Sequence, residues 1–300
     1  MTAAIEVRSV RKVYGDLVAV DGVSFTVQAG EIFGILGPNG AGKTTTLEMV
    51  EGLRRPDAGE CLLLGEPTWP RNEALLPRIG VQLQASAFFE RLTAREQIRT
   101  FAALYGVGAD RADAWLERVG LTEKADARAE QLSGGQLQRL AIACALVHEP
   151  ELVFLDEPTA GVDPQARRNL WDLLRSLNAE GRTLVLTTHY LDEAEALCDR
   201  VAIMDRGRIL QLDSPAALVR GLDAPVHVYV APHQLPFDAA RAIPGVDHVE
   251  DGEAAVVLTT RRPSEVLTRL AELHALEGLQ VRAGTLEDVF LSLTGREYRA

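Results

Sequence analysis

Lysine is scarce in this 300-residue chain. It occurs only at Lys12, Lys43 and Lys124, and arginine supplies the other cations. Cysteine is as rare: Cys61, Cys144 and Cys198 form an odd, widely spaced set with no C-x-x-C. Such a set speaks against a disulfide framework or a thiolate metal site and reads as small buried hydrophobes in a reducing compartment. Long hydrophobic runs are missing, and stretches such as Leu140–Val147 fall far short of a bilayer span. Met1 to Glu6 shows no basic segment followed by an apolar core, so no signal peptide is expected. Basic charge does not prevail either. A net charge of −12 argues against general nucleic-acid binding, while leaving room for one local basic site. The chain is expected in the cytoplasm unless another protein holds it at a membrane.

What is present is an ordinary globular composition, 47% hydrophobic and 25% charged, long enough for one large or two modest domains. Ile5–Val10 and Val23–Val27 alternate apolar and polar residues and predict antiparallel strands, with Tyr14-Gly15 in the turn region between them. Cys61 to Leu64 adds a short strand. From about 85 to 147 the character is helical, opening with the capping box of Thr93 and Glu96. Strands return at Glu151–Leu155, Thr183–Thr188 and Arg200–Met204, with helices from Pro164 and Leu191 between them. Gly221 to Pro225 reads as a boundary. It predicts a domain over 1–221 and a small α+β unit over 222–300, with a helix from Pro263 to about Leu276 and a last helix capped at Thr285.

Three stretches carry chemistry. Gly37-Pro38-Asn39-Gly40-Ala41-Gly42-Lys43-Thr44 fits G-x-x-x-x-G-K-[ST], the phosphate-binding P-loop. It follows the strand-like Glu31–Leu36 and opens a helix expected to reach Leu53. Its glycines let backbone N–H groups converge on an anion at the positive end of that helix. Lys43 suits the β- and γ-phosphates, and the Thr44 hydroxyl suits Mg²⁺. Asp156-Glu157 leaves the C-terminal end of a strand apolar enough to be buried on both faces, which is where α/β sheets place ligands. Asp156 would hold Mg²⁺ and Glu157 would act as general base on water. Leu132-Ser133-Gly134-Gly135-Gln136 can be read as a plain capping box. Yet two glycines in a first helical turn cost up to about 1 kcal/mol each relative to alanine. Bare N–H groups there suit a second phosphate site.

Leu132–Gln136, followed by Gln138-Arg139, resembles the signature motif of ATP-binding cassette (ABC) ATPases, and its order relative to the P-loop and Asp156-Glu157 is the family's order. The resemblance covers about residues 5 to 220. It implies an α/β fold with a P-loop NTPase core, an antiparallel β subdomain and a helical insert, here followed by the small C-terminal α+β domain. It also implies ATP and Mg²⁺ as ligands, and a head-to-tail dimer, most simply a homodimer. In that dimer Ser133, Gly134, Gly135 and Gln136 of one copy meet the ATP held by residues 37 to 45 of the other, Thr45 included.

Further residues follow from the resemblance. Tyr14 is similar to the aromatic residue that stacks on adenine. Gln84 resembles a glutamine that contacts Mg²⁺, and His189 the histidine that hydrogen-bonds the γ-phosphate. Asp163 looks like the residue of a loop crossing to the other copy, although its N-cap position already accounts for it. Glu157, His189 and Lys43 are all in place, so an active ATPase is expected. The tail Thr285–Gly295 resembles the end of ATPases that serve drug- and antibiotic-type exporters. The resulting expectation is the ATPase subunit of an ABC exporter, peripheral on the cytoplasmic face of the membrane through a separate permease and bound to no nucleic acid. A soluble ABC protein acting on ribosomes normally has two cassettes, and a DNA-repair type needs a long coiled coil that the insert lacks. A non-hydrolysing regulatory module is opposed by Glu157.

Overall fold

In the computed structural model, which describes residues 3–83, 88–222, 224–252 and 254–295, period-two alternation builds the first layer. β1 (Ala3–Tyr14) and β2 (Leu17–Gln28) pair antiparallel. Val7, Val10, Val23, Phe25 and Val27 are buried, while Arg8, Ser24 and Thr26 face outward. β3 (Ile32–Leu36) then runs into the P-loop and α1 (Lys43–Val50). This helix stops short of the expected Leu53. Gly52 takes φ +75, and a Cβ there would meet the Thr68 carbonyl oxygen at 2.7 Å, so the chain turns away. β4 (Ala58–Leu63) and β5 (Glu66–Pro67) complete an antiparallel sheet of order β2-β1-β4-β5.

β6 (Ile79–Gln82) precedes the helical segment of α2 (Ala94–Leu104), α3 (Ala109–Arg118) and α4 (Gly134–Leu146). The Thr93 capping box forms, with Thr93 N donating to Glu96 Oε2 at 2.8 Å. The chain then alternates through β7 (Leu152–Asp156), α5 (Pro164–Ala179), β8 (Thr183–Thr188), α6 (Leu191–Leu197), β9 (Arg200–Asp205) and β10 (Arg208–Asp213). The second sheet has the order β10-β9-β3-β8-β7-β6; it is parallel except for β10, which returns beside β9. Every residue of β3, β7 and β8 is buried, the pattern of strands covered on both faces. Phe33 and Phe154 are fully buried, each worth roughly 1.5–3 kcal/mol in burial. Because β3, β7 and β8 are parallel, their C-terminal ends share one edge, and the P-loop, Asp156-Glu157 and His189 all emerge there.

β10 had no forecast in the sequence. It is an edge strand, exposed at Arg208, Leu210, Gln211 and Asp213, with Ile209 and Leu212 packed on the core. The three cysteines are free and buried, and burial pushes the Cys61 and Cys144 thiols up to about 12.

The chain divides into two units, one running to Pro215 and the other beginning at Ala216, slightly ahead of the expected boundary behind Gly221. The second holds α7 (Pro215–Arg220), β11 (Val226–Val230), α8 (Phe237–Arg241), β12 (His248–Asp251), β13 (Val256–Thr260), α9 (Pro263–Glu272), β14 (Gln280–Arg282) and α10 (Leu286–Thr294). Its sheet, β12-β13-β11-β14, is antiparallel, with Val228, Val230, Leu258, Val266 and Leu270 in its core. α9 ends before the expected Leu276 because His274 turns left-handed at φ +55 and Ala275 N closes onto Leu270 O at 2.9 Å. Among the described residues no helix is long and apolar enough to cross a membrane.

Candidate active site

The P-loop is clamped from behind. A Cβ on Gly37 would meet the Met204 carbonyl oxygen at 2.2 Å, and Gly42, at φ +100, leaves no room beside Ala19 O at 2.4 Å. Only glycine fits either position. Gly37 N donates to Thr188 O at 3.2 Å, and Gly207 N to Ala41 O at 2.9 Å, tying the loop to β8 and to the turn after β9. Lys43, the first residue of α1, is 4% exposed and donates from Nζ to Gly37 O at 2.7 Å and Pro38 O at 3.3 Å. Burial pushes its pKa down, while the charges of Glu157 and Asp156 oppose that. The sequence thus fixes an ammonium group inside a ring of loop backbone at a helix N-terminus, an arrangement that can hold phosphate.

Asp156 ends β7 and is buried. Its Oδ1 accepts hydrogen bonds from Thr44 Oγ1 at 3.2 Å and from Thr187 Oγ1. Burial raises its pKa, and those two hydroxyls pull it back. A hydroxyl and a carboxylate oxygen side by side form a hard donor set that suits Mg²⁺, an ion usually shared between one or two protein oxygens and substrate phosphates. Glu157 follows in a left-handed conformation, φ +49, strain of roughly 1–3 kcal/mol that its surroundings must hold. They do so through Glu157 N, which donates to Thr187 Oγ1 at 3.0 Å and Thr187 O at 3.2 Å. The resulting turn aims the carboxylate between two partners. Oε1 lies 3.3 Å from Lys43 Nζ, and Oε2 lies 3.0 Å from His189 Nδ1. A buried carboxylate between an ammonium and an imidazole can take up a proton from a water and hand the ring a fixed orientation.

A cleft of about 590 Å³ lies in front of this group, lined by Tyr14, Asn39, Gly40, Thr44, Thr45 and Glu157 among others. Tyr14 is 39% exposed, and its ring has Arg54 Cζ at 5.4 Å and Lys12 Nζ at 5.6 Å. The sequence reading missed three contributors. Thr187 donates to the Asp156 carboxylate and accepts from the Glu157 backbone N–H, and its only signal was a hydroxyl residue near the end of a largely apolar strand. Ala19 and Arg206 line the cleft from β2 and from the turn after β9, and nothing in their local sequence points there. Gln84 lies outside the described residues.

Ser133, Gly134, Gly135, Gln136 and Asp163 form a second group. Ser133 caps α4: its N donates to Gln136 Oε1 at 2.9 Å and its Oγ accepts from Gln136 N at 3.3 Å. Asp163 caps α5, accepting from Gln165 N at 3.1 Å and Ala166 N at 3.0 Å. The two caps are neighbours. A Cβ on Gly135 would press on Ala166 Cβ at 3.0 Å, so intrachain packing explains that glycine. A Cβ on Gly134 would meet nothing closer than Gly161 O at 3.7 Å. Nothing within the described chain requires glycine at 134.

The chain is similar to known proteins along nearly its whole length. The family model described as ABC transporter matches residues 20–160. The chain is 43% identical over 302 residues to the Nod factor export ATP-binding protein I of Burkholderia lata, and the match covers 98% of each chain. It is 41% identical over 301 residues to the protein of the same name from Rhizobium sp. (strain N33), again over 98% of each. Its structure is similar to the ADP conformation of an ATP-binding cassette of an ABC transporter: TM-score 0.65, 25% identity, 71% of this chain and 92% of the other. It is also similar to a cassette solved as a dimer in a post-hydrolysis state with ADP and Pi: TM-score 0.65, 28% identity, 70% and 98%. The chain belongs to the ATP-binding proteins of the ABC transporter family.

Proposed function

We propose that this chain is the ATP-hydrolysing subunit of an ABC exporter, and that Glu157 is its general base. The carrying observation is the placement of the Glu157 carboxylate, buried at the end of β7 between Lys43 Nζ and His189 Nδ1. ATP lies along residues 37 to 45, with Tyr14 stacked on the adenine and Lys43 turned from its carbonyl partners to the β- and γ-phosphate oxygens. Glu157 takes a proton from a water whose oxygen bonds to the γ-phosphorus. The bond from that phosphorus to the β-phosphate oxygen breaks, releasing ADP and phosphate. His189 orients the γ-phosphate by a hydrogen bond. Thr44 and Asp156, with Gln84, are the residues that would hold Mg²⁺, which supplies charge neutralisation of the phosphates.

Ser133, Gly134, Gly135 and Gln136 belong, in this reading, to the site of a second copy, and Asp163 contacts that copy. The bare face of Gly134 supports this, because it has no intrachain reason. ATP binding closes the dimer and hydrolysis reopens it. A permease subunit holds the dimer at the cytoplasmic face of the membrane. An apolar groove of about 360 Å³, lined by Leu53, Leu76, Val81, Leu83, Phe101 and Tyr105, supports docking of an apolar segment of that permease at the base of the helical insert. The export direction takes its support from the relatives named for Nod factor export. Residues from about 222 onward form an accessory domain. Glu157→Gln tests the proposal: it should bind ATP, lose turnover and accumulate as an ATP-bound dimer in sedimentation, and unimpaired hydrolysis would remove Glu157 from its role.

A further inference from the structure

Behind the loops that carry Glu157 and His189 lies a carboxyl group to which the hydrolytic reading gives no task. Glu193, in the first turn of α6, is fully buried. Its Oε1 accepts a hydrogen bond from Trp171 Nε1 of α5 at 3.0 Å. The carboxyl also faces the hydroxyls of Thr188 and Thr159 and the cation of Arg167, which offset the upward push that burial gives its pKa. Oε2 and Thr159 Oγ1 are both buried with no hydrogen bond made in this conformation. A carboxyl buried with one oxygen unmatched is costly.

The placement supplies a reason. Thr159 stands two residues beyond Glu157, in a turn where Ala160 N donates to Glu157 O at 3.1 Å. Thr188 immediately precedes His189, and its Oγ1 accepts from Tyr190 N at 2.9 Å. One carboxyl therefore faces a hydroxyl beside each of the two residues, while its hydrogen bond to Trp171 ties it to α5. We propose that Glu193 is a positioning residue for hydrolysis, which locks the loop after β7 to the loop after β8 so that Glu157 and His189 keep their 3.0 Å spacing. It acts through those two residues, and so rests on reading them as the hydrolytic pair.

Three variants test this in the full chain, by steady-state ATP hydrolysis with nucleotide affinity measured alongside. Glu193→Leu keeps the volume and removes the acceptors. Its kcat should fall at least about tenfold, since small misplacements of reacting groups are costly, while KM for ATP stays within about twofold because the P-loop is untouched. Glu193→Gln keeps an oxygen for Trp171 and an N–H for the threonine hydroxyls, and should recover kcat to within about threefold of wild type. Thr159→Val, close to isosteric, should lower kcat by about threefold or more with unchanged KM, and it decides the matter if Glu193→Leu does not fold. Full kcat in the leucine variant, a loss confined to ATP affinity, or a glutamine variant no better than leucine would each overturn the positioning role. Failure of the underlying reading shows separately, as undiminished turnover in Glu157→Gln.

Discussion

Lys43, Thr44, Asp156 and Glu157 satisfy one another: ammonium on carbonyls and carboxylate, hydroxyl on carboxylate, each within 3.3 Å. At the N-terminus of α4 the chain satisfies only the cap, leaving the face of Gly134 with no neighbour nearer than 3.7 Å. The first cluster is organised around charge and is nearly self-contained. The second leaves helix backbone uncovered at Gly134 among the described residues. On the proposed reading these are two halves of a shared site, and each half should fail in its own way.

The largest expected effect breaks the first half. Glu157→Gln should cut kcat by roughly 10²–10⁴-fold while ATP affinity, read by titration, stays near wild type. A large loss of affinity instead would make Glu157 part of the binding surface. Lys43→Ala comes next, with ATP affinity falling on the order of 100-fold from the loss of a charge-assisted contact. Retained binding in the same titration would contradict the P-loop's part.

Much of this division was legible in the sequence because the elements involved are local. A P-loop is eight consecutive residues, and the apolar runs of β3, β7 and β8 announce buried parallel strands whose ends must carry the chemistry. The caps at Thr93, Ser133, Asp163 and Thr285 all form, since each is decided within four residues. What escaped is what long-range packing decides. Arg206 and Ala19 reach the cleft through sheet pairing, Thr187 acts across strands, and Glu193 matters through three separate elements. β10 mixes apolar and polar residues without strict alternation, so no periodicity betrays it.

Glu51 sharpens the comparison from the far end of α1, where a buried carboxyl has no counterpart to Lys43. Among the described residues both its oxygens lack hydrogen-bond partners, and burial, with Asp156 and Glu48 nearby, pushes its pKa from 4.5 up to about 9. In that window the folded chain holds a proton that the unfolded chain has lost. Stability therefore falls as pH rises from the unfolded value toward the folded one and is unpenalised below it. Glu51→Gln should gain at least about 2 kcal/mol at pH 8 and little at pH 5, by urea denaturation. A gain independent of pH would argue for a packing effect.

Gly134→Ala carries the smallest change in stability. It should leave the melting temperature level or slightly raised, since alanine is the better helix former by up to about 1 kcal/mol and open space receives its methyl. ATP hydrolysis should nonetheless fall about tenfold. Equal activity would mean that nothing approaches that face.

The most direct test mixes two inactive chains, Lys43→Ala and Gly134→Asp. If each site joins the P-loop of one copy to the α4 N-terminus of the other, a mixed dimer contains one intact site and one with both defects. Hydrolysis should then return to about a quarter of the wild-type rate in an equal mixture. A mixture that hydrolyses no faster than the average of its parents would contradict a site shared between two copies.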